Sequence, residues 1–130
     1  MARLANIVHS SRNSFDPRCN LTCRDVVANE HGLIVTFHSL KTIQFGECKY
    51  HIPLLCLPSS PLCPVSTFQR MFPLVPTSPQ SALFLLSGPR GCTLLTKHRF
   101  VGEFRCPLSA AGVSNAFYFQ GHSFCWGAAS

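Results

Sequence analysis

The stretch GLIVTFHS, residues 32–39, decides the fold that this sequence predicts. It is rich in Val, Ile, Thr and Phe, which favour strands, so it predicts a β-strand. LTCRDVV (21–27) before it has the same composition, and KYHIPL (49–54) after it alternates as a strand does. Three successive strands with short connections predict a three-stranded antiparallel meander.

Helical patterns follow the three strands. SPLCPVSTFQRMF (60–72) fits a helix that begins either at Ser60-Pro61 or at Pro64. The apolar stripe of that helix consists of Val65, Phe68 and Phe72. SALFLLSG (81–88) fits a short strand or an extended arm.

A second helix is predicted over LTKHRFVGEFRCPLSAAGV, residues 95–113. Thr96 is a suitable N-cap, and Pro107 is expected to break or kink the helix. The side chains expected to point inward are Phe100, Val101 and Phe104. RLANIV (3–8) fits the tail of an apolar helix, and GHSFCWGAAS (121–130) the start of another. We therefore expect one α+β domain over residues 1–130, truncated at both ends.

The composition favours a polyanionic partner. Of the 130 residues 46% are hydrophobic and only 12% charged, yet the net charge is +6. The N-terminus does not have the pattern of a secretory signal, and no run of apolar residues is long enough for a membrane span. We therefore expect an intracellular protein that is neither secreted nor membrane-bound, in which disulfides are not the default.

The eight cysteines show no metal-binding pattern. The closest spacings are Cys19-x3-Cys23 and Cys56-x6-Cys63, and neither has a compact partner pair of Cys or His. The sequence therefore predicts no metal site, and the cysteines look scattered rather than placed.

GHSFC, residues 121–125, groups several residues that could take part in catalysis or binding. It nearly matches the G-x-S-x-G elbow of hydrolases, but Cys125 replaces the second glycine, which argues against that class. His122 and Cys125 lie three residues apart, so a Cys/His thiol nucleophile stays open. Phosphate binding at a helix N-terminus by His122, with Arg3 and Lys41 from other elements, accounts better for the pattern.

The order of these segments resembles the catalytic domain of tyrosine recombinases, in particular the integrases of DIRS- or Crypton-like mobile elements. Each segment is weakly specific, whereas the ordered set spans nearly the whole chain. The segments that carry the resemblance are RLANIV, FDP, LTCRDVV, GLIVTFHSLKTIQFG, HIPL, LCPVSTFQRMF, LTKHRFVGEF and GHSFCWGAAS.

The resemblance implies a catalytic set that includes Arg3, Lys41 and His122. In such enzymes two arginines and a lysine bind the scissile phosphate, a tyrosine attacks phosphorus, and no metal or other cofactor is needed. This sequence departs from the pattern because Cys125 stands where the family has its second arginine, and a thiol supplies no guanidinium fork. The chain also ends before the segment that would carry the nucleophilic tyrosine.

The resemblance therefore implies a DNA-binding, catalytically inactive fragment of a recombinase or integrase, located in the nucleus. Its partner would be double-stranded DNA, bound weakly and with strong salt dependence. Lys97, Arg99 and Arg105 are the further DNA-contact candidates. The competing hypothesis is a non-enzymatic basic module that binds nucleic acid or another partner; the oligomeric state is not predicted.

Overall fold

The computed structural model describes residues 7–38, 49–75, 78–120 and 123, which form an α+β fold. A three-stranded sheet is followed by a helix, a separate hairpin and a second helix. The strands of the sheet are β1 (Val26–Asn29), β2 (Gly32–Phe37) and β3 (Tyr50–Leu55). The later elements are α1 (Pro64–Met71), β4 (Leu85–Gly88), β5 (Gly91–Leu94) and α2 (Lys97–Ala110). Short 3-10 turns cover Cys23–Asp25, Phe72–Leu74 and Ala116–Tyr118.

The central strand β2 pairs antiparallel with both neighbours, which confirms the predicted meander. Alternation places Leu33, Val35 and Phe37 on the buried face, while Ile34 points outward and is 38% exposed. The predicted second and third strands therefore match β2 and β3 closely.

The first strand was predicted over 21–27 but runs over Val26–Asn29, so its predicted start is wrong. Thr22 and Asp25 close a local turn instead: the Thr22 amide and hydroxyl both donate to the Asp25 carboxylate, at 2.8 and 2.7 Å. Leu21 is nevertheless buried in the core. Capping chemistry overrides strand composition here, because a Thr-x-x-Asp pair satisfies backbone groups locally.

The core lies on the inner face of the sheet and is covered by α1. One cluster of buried residues comprises Leu21, Val35, Phe37 and Leu83. A second comprises Leu33, Cys63 and Val65. Phe68 of α1 packs against both clusters, so this helix joins the two halves of the core. The helix begins at Pro64, the second of the two predicted starts.

Residues 81–88 contain strand β4, but its partner β5 was not predicted. The two strands pair antiparallel across a tight turn at Pro89-Arg90. Gly91 adopts φ of +107°, a conformation open to glycine and strained for other residues. The hairpin leads directly into α2.

Helix α2 begins as predicted, because the Thr96 hydroxyl accepts from the Arg99 amide at 3.3 Å. Pro107 does not break it, and the helix continues to Ala110. Only three residues follow Pro107 in the helix, so one lost backbone bond near the end is tolerated. No α2 residue is fully buried; Phe100, Val101 and Phe104 are half-buried.

Candidate anion-binding cleft

The residues predicted to be catalytic lie outside the part of the chain that the structure describes. These are Arg3, Lys41 and His122, together with Cys125 at the position of the lost arginine. The three predicted DNA contacts Lys97, Arg99 and Arg105 all lie on α2.

An open cleft of about 350 Å³ runs along α2. Lys97, Val101 and Arg105 follow one another at four-residue spacing and therefore share one face of the helix. The full lining is Ser10, Lys97, His98, Val101, Arg105 and Gln120. The helix thus presents two cations to one cleft, with the apolar Val101 between them.

The N-terminal segment reaches this cleft through backbone pairing with the start of α2. His9 forms a parallel bridge with Thr96. The His9 amide donates to the Leu95 carbonyl at 3.3 Å, and the Lys97 amide donates to the His9 carbonyl at 2.8 Å. These bonds hold Ser10 beside Lys97.

The other wall is held by Arg105 and the segment after α2. Arg105 Nε donates to the Phe119 carbonyl at 2.9 Å, which fixes the guanidinium next to Gln120. The backbone amide of Gln120 in turn donates to Ser123 Oγ at 3.0 Å.

Arg99 does not line the cleft. Its Nε donates to Glu103 Oε1 at 2.7 Å, one helical turn away, and both side chains are 61% exposed. The charge of Arg99 is thus largely balanced locally. Of the three predicted DNA contacts, the structure brings together Lys97 and Arg105 only.

His9 is a residue of interest that the sequence did not indicate. It is buried, with 4% of its surface exposed, and no described residue is a hydrogen-bond partner for its Nδ1. The ring packs edge-on against Phe15 at 5.5 Å and borders a cavity of about 170 Å³ that Lys97 and Asn20 also line. Burial lowers the pKa of His9, which favours the neutral ring at pH 7.

A second histidine, His38, pairs with the buried Asp25. His38 Nε2 lies 2.6 Å from Asp25 Oδ1, while Thr22 occupies the other carboxylate oxygen. Burial alone would raise the pKa of Asp25, but the hydrogen bonds from His38 and Thr22 outweigh it and hold that pKa below its ordinary value. Because both carboxylate oxygens of the buried Asp25 have a hydrogen-bond partner, this cluster stabilises the fold. The Thr-x-x-Asp spacing was the sequence signal for it.

Among the described residues, no group of three or more His, Cys, Asp or Glu side chains is arranged to hold a metal ion. In the same part of the chain, no helix combines the length and apolar character needed to cross a membrane. No family model matches the chain, and neither a curated protein nor a solved structure is significantly similar to it.

Proposed function

We propose that the α2 cleft binds the phosphodiester backbone of double-stranded DNA, in a domain of the tyrosine-recombinase catalytic type. The observation that carries the proposal is the convergence of Lys97 and Arg105 on one open cleft. Neither residue is in a salt bridge with a described acidic side chain. Both charges are therefore open to an anion.

The spacing of these two cations suits a polyanion better than a single small anion. Eight residues of α-helix correspond to about 12 Å along the axis. Over that length one strand of B-DNA carries roughly three to four phosphates. Lys97 would contact one phosphate as a point charge, and Arg105 another through the guanidinium nitrogens that bond to no described residue.

The basic net charge and the ordered resemblance to tyrosine recombinases support the same partner. A DNA partner in turn implies a nuclear location. Cys125 stands where the family has an arginine, and a thiol cannot neutralise the negative charge that develops on the phosphate in the transition state. We therefore expect DNA to be bound without being cleaved. Few phosphate contacts make the binding weak and dependent on salt.

Fluorescence anisotropy of a labelled duplex, titrated with the chain at several salt concentrations, tests the proposal. We expect the Lys97→Gln/Arg105→Gln double variant to bind more weakly and to lower the salt slope by about 2, since each phosphate contact contributes about 0.9. The matched control is Arg70→Gln/Arg90→Gln, which removes the same charge from exposed residues outside the cleft.

Equal losses in the two double variants would show that binding follows net charge rather than the cleft. Complete absence of duplex binding, with binding to another partner, would favour the basic interaction module. A suicide DNA substrate tests the expected inactivity: a covalent protein–DNA adduct would contradict it.

A further inference from the structure

The loop between β3 and α1 brings two cysteines together that are seven residues apart. The Ser60 amide donates to the Leu57 carbonyl and the Cys63 amide to the Ser60 carbonyl, both at 3.1 Å. These two consecutive turns fold the segment back on itself. Cys56 is anchored as well, because its amide donates to the His31 carbonyl at 2.9 Å.

The two thiol groups face each other at the end of this loop. Their Sγ atoms are 3.9 Å apart, and the Leu57 amide donates to Cys63 Sγ at 3.3 Å. Cys63 is the N-cap residue of α1 and only 2% exposed, whereas Cys56 is half-buried. Cys63 is therefore held in the core, and Cys56 packs against the same core cluster while remaining partly exposed.

The surroundings give the two thiols different acidities. Amide donors from Ser66 and Leu57, with the Ser66 hydroxyl, stabilise the Cys63 thiolate and lower its pKa to about 6. Burial and the neighbouring Cys63 raise the pKa of Cys56. At neutral pH the pair therefore consists of a Cys63 thiolate beside a protonated Cys56 thiol.

We propose that Cys56 and Cys63 form a redox site that reacts with low-molecular-weight disulfides such as oxidised glutathione. The Cys63 thiolate takes the proton of the neighbouring Cys56 thiol, and the Cys56 thiolate attacks the external disulfide. A mixed disulfide on Cys56 forms, one glutathione leaves as a thiolate, and that thiolate takes the proton back from Cys63. The Cys63 thiolate then attacks Cys56 Sγ, the Cys56–Cys63 bond forms, and the second glutathione leaves as a thiolate. The protein dithiol loses two electrons, and one glutathione disulfide becomes two glutathione molecules.

The geometry permits this closure with a small movement. A disulfide needs a sulfur–sulfur distance of about 2.05 Å, so the two Sγ atoms must approach by about 2 Å. Leu57 and Leu62 of the loop between the cysteines are exposed, so the approach need not displace these side chains from the core.

The test is incubation of the full chain with oxidised glutathione, followed by alkylation of remaining thiols and peptide mapping by mass spectrometry. We expect a Cys56–Cys63 disulfide in the wild type and an accumulated glutathione adduct on Cys56 in Cys63→Ser. In Cys56→Ser the buried Cys63 should acquire little adduct. Cys92→Ser and Cys106→Ser are the matched controls, because both residues are exposed, and each should leave the disulfide unchanged.

A stable glutathione adduct on wild-type Cys56, or reaction of Cys92 and Cys106 alone, would overturn the proposal. The pH dependence adds a readout that does not depend on the variants. The closing step should reach its full rate by about pH 7, since the Cys63 thiolate is already formed there. A closing rate that keeps rising to about pH 9, as for an ordinary thiol, would contradict the assigned role of Cys63.

Discussion

Two regions of this fold differ in how fully their apolar side chains are buried and their polar groups are hydrogen-bonded. On the side of the sheet and α1, Leu33, Val35 and Val65 are buried, and the buried Asp25 has a partner on each carboxylate oxygen. On the α2 side no helix residue is fully buried, and His9 Nδ1 is unpartnered among the described residues.

This difference separates stability from binding. A packed and satisfied region resists substitution because every removed group leaves a void or an unpaired atom. An open region with unpaired cations leaves charge for a ligand at little cost to the fold. The sheet and α1 therefore hold the domain together, and α2 carries the surface that we propose for binding.

The largest contrast is expected from a matched pair of leucines. Leu33→Ala, in the core between the sheet and α1, should cost about 2–5 kcal/mol of unfolding free energy because it leaves a cavity. Leu108→Ala, on the half-buried face of α2, should cost about 1 kcal/mol or less. Urea unfolding followed by circular dichroism measures both. Equal costs would mean that α2 is packed as tightly as the sheet.

The next largest loss of stability is expected from removing the buried carboxylate of Asp25. Asp25→Ala leaves the Thr22 amide and hydroxyl and the His38 ring without their acceptor, and should cost about 1–3 kcal/mol. The control is Glu30→Ala, at an exposed carboxylate beside His31, which should leave the urea midpoint nearly unchanged.

The pH dependence of this cluster has a defined sign. The folded pKa of Asp25 lies below its unfolded value of 3.8, so its contribution is complete above that value and is lost as the pH falls through the folded pKa. The difference between wild type and Asp25→Ala should therefore shrink in acid. A difference that stayed constant down to about pH 2 would rule out the carboxylate as its source.

A smaller effect is expected from His9 on the binding side. Burial lowers its pKa in the folded protein below 6.5, so the unfolded chain binds the proton more readily. Stability should be complete above that value and fall as the pH drops below it. His9→Phe should remove this part of the pH dependence, which urea midpoints between about pH 7 and pH 5 would reveal. An unchanged slope would show that the ring titrates normally.

Local patterns in the sequence sufficed for much of the fold. Strands β2 and β3 follow alternation and composition, and α2 follows its Thr96 cap and apolar spacing. The start of β1 was predicted wrongly because strand composition and a Thr-x-x-Asp turn competed over residues 21–27. Strand β5 was not predicted because its sequence, GCTL, is too short to show a strand pattern. It forms a strand because it pairs with β4.

The candidate site was less accessible from sequence, because it depends on segments far apart in the chain. Lys97 and Arg105 share a helix face by their spacing, which the sequence shows. Ser10 reaches the cleft only because the neighbouring His9 forms a bridge to Thr96, and no local pattern encodes that pairing. Cys56 and Cys63 match no ligand motif in the sequence. Two turns and a helix N-terminus nevertheless bring their sulfur atoms together, so this pair differs from the scattered arrangement that the sequence indicated for the cysteines.

The smallest expected effect comes from the one acidic side chain of α2, Glu103, which pairs with Arg99. Glu103→Gln removes an exposed i,i+4 ion pair and should cost only about 0.3–0.5 kcal/mol of stability. The same change frees Arg99 and removes a negative charge from the binding side, so affinity for duplex DNA should rise by about twofold to threefold at low salt. The matched variant Glu30→Gln removes an equal charge from the turn between β1 and β2. If both variants raised the affinity equally, the advantage of α2 over the sheet side as a DNA surface would be refuted, since net charge alone would then account for binding.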